Sequence, residues 1–175
     1  LAPVKSDLRL YIWQGDITTL KCDAIVNACN SQMLGCFSPM HACIDNFIHT
    51  YAGMELCLKM HEIMAKQGHE EETGKAKITS GYNLPAKYIL HTVGPIIQWE
   101  VTKKDEALLA SCYRECLKLA ADTGVESIAF CCLSTGVFRF PQQRAAEIAT
   151  NTVKQYLNKD SSIKKVIFNV FKDED

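Results

Sequence analysis

Two thiols and one imidazole fall within eight residues in the first third of the chain. Cys36, His41 and Cys43 follow the order Cys-x4-His-x-Cys, and thiolate sulfur and imidazole nitrogen are ligands that zinc prefers. Three protein ligands would leave a fourth coordination position open, as in catalytic zinc sites. The alternative is that these cysteines are small core hydrophobes. The spacing is not a widespread zinc signature, so the residues alone leave both interpretations open.

A second stretch, Ser134-Thr135-Gly136-Val137-Phe138, leads from an apolar run into a helical pattern. Consecutive N–H groups in such a loop, together with a helix N-terminus, can bind an anion. The stretch matches neither the dinucleotide-binding glycine pattern nor the Walker pattern. A plain connection between a strand and a helix is the more common alternative.

Four further polar residues stand where predicted strands end or a helix begins. Asp16 either caps a short helical turn or reads the edge of a purine. Asn27 and Asn30 bracket the end of a buried strand, where Asn is unfavourable, so they either hold neighbouring loops or bind a ligand. Asp45 is expected to cap a helix, and the alternative is that it orients a water beside a cation.

The remaining cysteines favour a reducing compartment. The chain has nine cysteines, an odd number, and no recognisable signal peptide. Reduced thiols in a cytoplasmic protein fit this better than a disulfide framework. Six of the cysteines are predicted to be ordinary core residues: Cys22, Cys57, Cys112, Cys116, Cys131 and Cys132.

Strand-like and helical patterns alternate from residue 24 onward, which predicts an α/β domain with a mixed, largely parallel sheet and helices on both faces. Ligands bind such folds beyond the carboxyl ends of the strands, where the loops after Trp13, Asn27 and Leu133 are expected to lie. Predicted strands cover residues 8–13, 24–28, 76–79, 88–93, 128–133 and 166–171. Predicted helices cover residues 44–64, interrupted at Gly53, then 109–120 and 141–156.

The first predicted helix has an apolar face that we expect to be buried. Its members recur at the spacing of one helix face: Ile44, Phe47, Ile48, Tyr51 and Ala52.

Length and composition exclude several classes. The 175 residues predict a single domain over 1–175, and the start at Leu1 instead of Met indicates a chain trimmed at its ends. The composition, 47% hydrophobic and 22% charged, is that of a globular protein. A net charge of -1 argues against a nucleic-acid binder. No apolar run reaches the ~18 residues of a membrane span.

Taken together, five motifs resemble the macrodomain family, an ADP-ribose-binding α/β fold. They occur in the family's order and span nearly the whole chain: Gly15-Asp16-Ile17-Thr18, Asp23-Ala24-Ile25-Val26-Asn27-Ala28-Cys29-Asn30, Gly81-Tyr82-Asn83-Leu84-Pro85-Ala86-Lys87-Tyr88, His91-Thr92-Val93-Gly94-Pro95 and Ser134-Thr135-Gly136-Val137-Phe138. In hydrolytic macrodomains a run of glycines usually follows the Asn-x-x-Asn segment. Residues 36–43 replace it here, which is similar to the zinc-containing microbial branch of the family.

The resemblance implies a three-layer macrodomain sandwich and a role for each motif. Asp16 and Ile17 would recognise adenine, with Phe171 packed near it. The loop from Ser134 through Thr135, Gly136 and Val137 to Phe138 would wrap the diphosphate. Asn27 and Asn30 would meet the distal ribose, beside a Zn²⁺ held by Cys36, His41 and Cys43. Asn30 and Asp45 match the positions implicated in catalysis.

The activity implied is zinc-dependent hydrolysis of mono-ADP-ribose from modified protein side chains, most simply acidic ones. The implied partners are the ADP-ribosylated protein, a sirtuin-type ADP-ribosyltransferase and the carrier protein that it modifies. Three alternatives stay open: a non-catalytic reader of ADP-ribosylated proteins, an O-acetyl-ADP-ribose deacetylase, and a thiol-based redox sensor. The last would need exposed cysteines of low pKa.

Overall fold

The computed structural model describes residues 2–4, 7–39, 41–159 and 162–173. The strands are β1 Ala2–Val4, β2 Asp7–Gln14, β3 Ala24–Cys29, β4 Ala76–Ser80, β5 Tyr88–Val93, β6 Ser127–Phe130 and β7 Lys165–Val170. The helices are α1 Ile44–Ala52, α2 Met54–Gln67, α3 Lys103–Asp122 and α4 Gln142–Leu157, with a 3-10 turn at Ile17–Thr19. Among the described residues, no helix combines the length and apolarity needed to cross a membrane.

The strands form one seven-stranded sheet in the order β1-β2-β7-β6-β3-β5-β4. The inner pairs are parallel and the two outer pairs, β1 with β2 and β4 with β5, are antiparallel. The prediction of a mixed, largely parallel α/β sheet is therefore confirmed. Because the carboxyl ends of parallel strands meet at one edge, the loops after β2, β3 and β6 lie side by side there.

The central strands form the core because their residues are apolar on both faces. Ala24, Ile25 and Val26 on β3 are fully buried, as their continuous apolar run predicted. One face of α3 contributes buried Leu109, Cys112 and Cys116, again as the helical spacing predicted. All nine cysteines are free thiols.

Several predicted element boundaries are wrong. The largest difference is at α3, which begins at Lys103 instead of residue 109 because Thr102 and Asp105 form a capping box there.

The strand predicted over 128–133 ends at Phe130, because the chain then turns and the Thr135 hydroxyl donates to the carbonyl of Cys132 at 3.4 Å. Pro141 precedes α4 as its N-cap instead of occupying the first helical position. Both shifts lengthen the loop at the carboxyl edge of the sheet.

The buried face of α1 also differs from the prediction. Ile48 and Ala52 are fully buried as expected, but Phe47 is 40% exposed and Tyr51 is 52% exposed. The polar residues Asp45 and His49 are buried in their place. The helix is rotated because these two side chains contact polar groups in the sheet, a constraint that apolar spacing does not contain.

Candidate functional site

The loop after β3 carries the three predicted metal ligands, and Asn30 holds its first turn. The Asn30 side-chain oxygen accepts from the backbone N–H groups of Gln32 and Met33, both at 3.1 Å. Met33 adopts a left-handed φ of 55° although it is fully buried. The loop-holding alternative for Asn30 is therefore what the structure shows, while its amide nitrogen makes only a long 3.5 Å contact with the Gly35 carbonyl.

The structure brings Cys36, His41 and Cys43 together. Their ligand atoms all lie within 4.8 Å of one another, and each residue is half-buried. The Cys36 Sγ and His41 Nδ1 atoms are 3.0 Å apart. Tight backbone hydrogen bonds from His41 N–H to Ser38 and from Cys43 N–H to His41 fold the loop back on itself. We call these three residues the Cys-His cluster.

The Cys-His cluster is chemically suited to zinc. Two sulfurs and one imidazole nitrogen form the three-ligand donor set of open zinc sites. Burial raises the pKa of the Cys43 thiol, so the free thiol holds its proton at neutral pH. Metal binding would displace that proton, as thiolate ligation requires.

Behind the cluster lies a buried polar network around Asp45. The prediction that Asp45 caps α1 is wrong, because Cys43 occupies the N-cap position and Asp45 is the second helical residue. The Asn27 amide donates to Asp45 Oδ1 at 2.8 Å. Asn27 is fully buried, so its side chain serves this contact from within the sheet. Desolvation raises the pKa of the Asp45 carboxyl.

Two buried histidines complete the network. His49 Nε2 lies 3.5 Å from Asp45 Oδ1, and its Nδ1 lies 3.5 Å from the Cys57 sulfur. His91 Nδ1 lies 3.3 Å from the Asn27 amide nitrogen, and its Nε2 lies 2.9 Å from the Thr79 hydroxyl. Burial lowers the pKa of His91 to about 3, so its ring is neutral. The four-residue spacing from Asp45 to His49 was the signal that could have found the first of them.

Three buried polar atoms of this network make no hydrogen bond to any described residue. They are Asn27 Oδ1, Asp45 Oδ2 and His49 Nε2. Buried polar atoms are nearly always satisfied in folded proteins. The region behind the Cys-His cluster therefore differs from the rest of the core in holding three such atoms close together.

The second candidate loop, residues 134–138, has the geometry of an anion site. Ser134 adopts a left-handed φ of 65°, and the loop closes through a hydrogen bond from Phe140 N–H to the Ser134 carbonyl at 2.9 Å. Within the described ranges, no carbonyl or side chain accepts a hydrogen bond from the N–H groups of residues 135–138. Those N–H groups are thus available to an anion. We call residues 134–138 the amide loop.

The third candidate position, after β2, is built around Asp16. Its carboxylate caps the 3-10 turn, with Oδ1 accepting from the Thr18 N–H at 2.9 Å and from the Thr18 hydroxyl at 2.6 Å. Ile17 is buried at 1% exposure, whereas Phe171, which follows β7, is 68% exposed. Asp16 therefore caps the short helical turn, which is one of the two roles predicted for it.

Asn169 is a positioning residue that sequence reasoning missed. Its buried amide on β7 donates to the Gly15 carbonyl at 2.8 Å, which fixes the turn that carries Asp16. An asparagine within an apolar strand was the available signal.

The three positions lie in a line along the carboxyl edge. Asp16 follows β2, Phe171 follows β7, the amide loop follows β6 and the Cys-His cluster follows β3, which is also the spatial order of the strands. The ends of this line are three strand spacings apart, about 14 Å. An apolar groove of about 220 Å³ opens beside its first half, between α4 and the strands β2 and β7, and reaches Thr135 and Val170. The Cys-His cluster lies outside this groove.

The fold and these loops define a known class of protein. Residues 26–149 match the sequence model of the Macro domain family, and the chain belongs to that family. A macrodomain from Oceanobacillus iheyensis solved with ADP superposes with a TM-score of 0.82 at 39% identity, covering 93% of this chain and 83% of that one.

Two similar proteins carry the same name, protein-ADP-ribose hydrolase. The one from Treponema medium is 62% identical over 94% of this chain. The one from Staphylococcus aureus strain MRSA252 is 59% identical over the full chain. This chain spans 63% and 66% of their respective lengths.

Proposed function

We propose that this protein is a zinc-dependent hydrolase that removes mono-ADP-ribose from modified protein side chains, acidic ones in the first instance. The observation that carries the proposal is the order of the three candidate positions along the sheet. The Asp16 turn, the amide loop and the Cys-His cluster follow one another from β2 to β3. ADP-ribose has its adenosine, diphosphate and distal ribose in that same order. The names of the relatives and the ADP-bound macrodomain support the same ligand class.

The binding steps belong to residues of this chain. Asp16, Ile17 and Phe171 would hold the adenine end, and the N–H groups of the amide loop would hold the diphosphate. The Asn30 amide nitrogen, which makes only a long contact in the structure, would turn to a hydroxyl of the distal ribose. Binding energy far from the scissile bond then fixes the anomeric carbon at the edge of β3.

Cys36, His41 and Cys43 would hold the zinc ion. A bound zinc supplies Lewis acidity toward an oxygen of the substrate or of water. The three buried polar atoms without a hydrogen-bond partner behind the cluster support a part for this region in the reaction. Asp45 Oδ2, which is one of them, would accept a proton from the attacking water.

The reaction needs only water as second reactant. The bond between the distal ribose and the acceptor oxygen breaks, and water supplies a hydroxyl to one product and a proton to the other.

A protein that removes ADP-ribose requires another that attaches it, and we propose a sirtuin-type transferase and its carrier-protein target as these partners. Nine free thiols support a reducing, cytoplasmic setting.

The test is a time course of ADP-ribose release from a protein mono-ADP-ribosylated on one glutamate. The enzyme is assayed as purified, after chelation, and after zinc is added back, with circular dichroism to show that the chelated protein remains folded. We expect release that disappears on chelation and returns with zinc.

Other outcomes identify what is wrong. Release that continues after proven metal removal would keep the hydrolase and move its chemistry to Asp45 and Asn30. No release with ADP-ribose still bound would favour a reader of the modification. Turnover of O-acetyl-ADP-ribose without turnover of the modified protein would favour a small-molecule deacetylase.

A further inference from the structure

The exposed side of α1 departs from the usual composition of a protein surface. Phe47 and Tyr51 lie on this side with their rings stacked, 6.3 Å between centroids and 9° between planes. Asp45 and His49 are the two residues of the helix that can carry a charge near neutral pH, and both are buried. The outer face of α1 therefore carries an apolar aromatic pair and no charge.

Other exposed apolar residues lack this combination. Met54 and Leu58 on α2 are 71% and 65% exposed, but Glu55, Lys59 and Glu62 share that helix and Lys59 pairs with Glu62. Single exposed apolar residues are common and need no explanation. A stacked aromatic pair on an uncharged helix face is the composition that protein interfaces favour.

The aromatic pair lies on the side of the helix that leads to the Cys-His cluster. Cys43, the N-cap of α1, is followed by Phe47 and then Tyr51 at intervals of four residues, which places the three on one helix face. At 1.5 Å per residue, the two rings start about 6 and 12 Å from Cys43 along the axis. Helical side chains also lean toward the N-terminus, which brings Phe47 closer to the cluster.

A protein substrate bound at the Cys-His cluster would cover this surface. An acceptor side chain attached to the distal ribose must reach the cluster, and the protein that bears it then covers the neighbouring surface. A protein–protein contact of standard size covers about 800 Å² on each partner. Such a patch is about 30 Å across, which exceeds the distance of about 12 Å from Cys43 to Tyr51.

We propose that Phe47 and Tyr51 form the docking surface for the acceptor protein, binding an apolar, uncharged patch beside the modified side chain. This inference rests on the proposed function, because it assigns the partner of the same site. The aromatic pair would add affinity for the protein part of the substrate, and the cleft along the sheet edge would bind ADP-ribose independently. Specificity for one acceptor would then depend on α1 and not on the chemistry of the linkage.

The test compares two substrates with one linkage. One is a folded protein mono-ADP-ribosylated on a single glutamate, and the other is a ten-residue peptide from the same protein with the same modified glutamate. We expect the double variant Phe47→Ala/Tyr51→Ala to lower kcat/KM on the protein about tenfold or more, through KM, since aromatic anchors are enriched among the residues that dominate interface affinity. Turnover of the peptide should change less than about twofold, since the aromatic pair contacts only the folded acceptor.

Tyr156→Ala is the matched control. Tyr156 is also a tyrosine on a helix, although it is partly buried, and it lies in the last turn of α4 beside Leu157, whose carbonyl accepts from Arg9 at the opposite edge of the sheet. Its loss should leave both substrates unchanged. An equal fall on protein and peptide in the double variant would overturn the proposal, because the pair would then act through the cluster, and so would unchanged turnover of both.

Two measurements separate this inference from its alternatives. If neither substrate is hydrolysed by the wild type, the proposed function fails, and binding then tests the surface alone. The double variant should weaken binding of the modified protein about tenfold and leave free ADP-ribose binding unchanged. A sedimentation experiment in which the wild type is a dimer and the double variant a monomer would overturn the proposal in favour of a second copy as the occupant.

Discussion

Asp23 and Asp45 lie at opposite edges of the sheet and are held in opposite ways. Asp23 precedes β3 at the amino edge, and its carboxylate pairs with Lys87 at 2.8 Å and accepts from the Ser127 N–H and hydroxyl at 3.0 and 2.9 Å. The Lys87 pairing, together with the bonds to Ser127, lowers the pKa of Asp23 to about 2. At the carboxyl edge, burial raises the pKa of Asp45 and its Oδ2 has no partner among the described residues.

The difference distinguishes a residue that stabilises the fold from one that serves a site. Asp23 is exposed enough to be solvated and joins the starts of β3, β5 and β6, so its charge is satisfied in the folded state. Asp45 is buried and one of its two carboxyl oxygens makes no hydrogen bond to a described residue. This arrangement costs folding free energy. Unsatisfied buried groups and perturbed carboxyl pKa values gather at functional sites. The predictions below test whether the two edges of the sheet can be separated into stability and activity.

The largest expected effect comes from removing a ligand of the Cys-His cluster. We expect Cys43→Ser to lower ADP-ribose release about a thousandfold, because Lewis-acid stabilisation supplies several kcal/mol. ADP-ribose affinity should stay within about threefold, since most of the ligand binds elsewhere. The measurement pairs a zinc assay with the release rate and a binding titration. Cys22→Ser, at the amino edge, is the control and should change neither zinc content nor rate. Full activity without bound metal in Cys43→Ser would contradict the role of the cluster.

Exchanging each aspartate for asparagine compares the edges directly. We expect Asp45→Asn to lower the release rate about a hundredfold, the size of a typical general-base contribution, without loss of thermal stability. Asp23→Asn should lower the free energy of unfolding by about 1 kcal/mol, the size of a solvated charged hydrogen bond, and keep the rate. Urea unfolding and the release assay on both variants measure the pair. A stability loss in Asp45→Asn equal to that of Asp23→Asn would remove the distinction.

The pH dependence of stability should also differ between the edges. The pKa of His91 is 6.5 unfolded and about 3 folded, so the unfolded state binds the extra proton between these values and stability falls as pH drops. From pH 7 to pH 5 this contributes a loss of about 2 kcal/mol. The Asp45 carboxyl, with its raised folded pKa, acts in the opposite direction. Asp23, with its pKa near 2, loses its contribution only below the ordinary Asp value.

Urea unfolding of His91→Gln between pH 7 and pH 5 isolates the histidine. The variant should lose about 2 kcal/mol less than the wild type over this range. His61 is an exposed histidine on α2, and His61→Gln should retain the wild-type dependence of unfolding free energy on pH. A wild-type slope in His91→Gln would show that another group of the network carries the pH dependence.

The sequence was a good guide to the strands and to the loops that carry the site. Continuous apolar runs at β3 and β5, and the helical spacing on α3, specify local structure from nearby residues alone. The alternation of strands and helices then places the loops after β2, β3 and β6 at one edge. The short spacing of Cys36, His41 and Cys43 favours their convergence, because closing a short loop costs little entropy. Their residue types alone left the core interpretation equally open.

The polar interior of the site was not predictable in the same way. Asp45 is buried because it accepts a hydrogen bond from the Asn27 amide on β3, and His49 is buried beside Asp45. These contacts depend on how α1 is rotated against β3. The same rotation exposes Phe47 and Tyr51, whose spacing alone indicates a buried face. Apolar periodicity gives the amphipathic character of a helix, but the contacts of a few polar side chains decide which face turns inward.

The smallest expected effect concerns two glycines, one at each edge. A Cβ on Gly94 would lie 2.0 Å from the Ser134 hydroxyl oxygen, so Gly94→Ala requires the Ser134 side chain to rotate or the start of the amide loop to shift. We expect ADP-ribose affinity to fall about tenfold, the equivalent of one hydrogen bond to the diphosphate. Gly124→Ala, at the amino edge, has open space but a left-handed φ of +78°. It should cost about 1 kcal/mol of stability and leave affinity unchanged.

The double variant Gly94→Ala/Ser134→Ala shows whether the clash is the cause. Removing the hydroxyl leaves the Ser134 Cβ at 3.3 Å from the new methyl group, a contact that a small shift relieves. Because residues in contact do not act additively, calorimetric titration with ADP-ribose should find most of the lost affinity restored. If Ser134→Ala alone weakens binding as much as Gly94→Ala, the hydroxyl itself contacts the diphosphate. In that case the left-handed Ser134 would place its side chain, as well as the following N–H groups, toward the ligand.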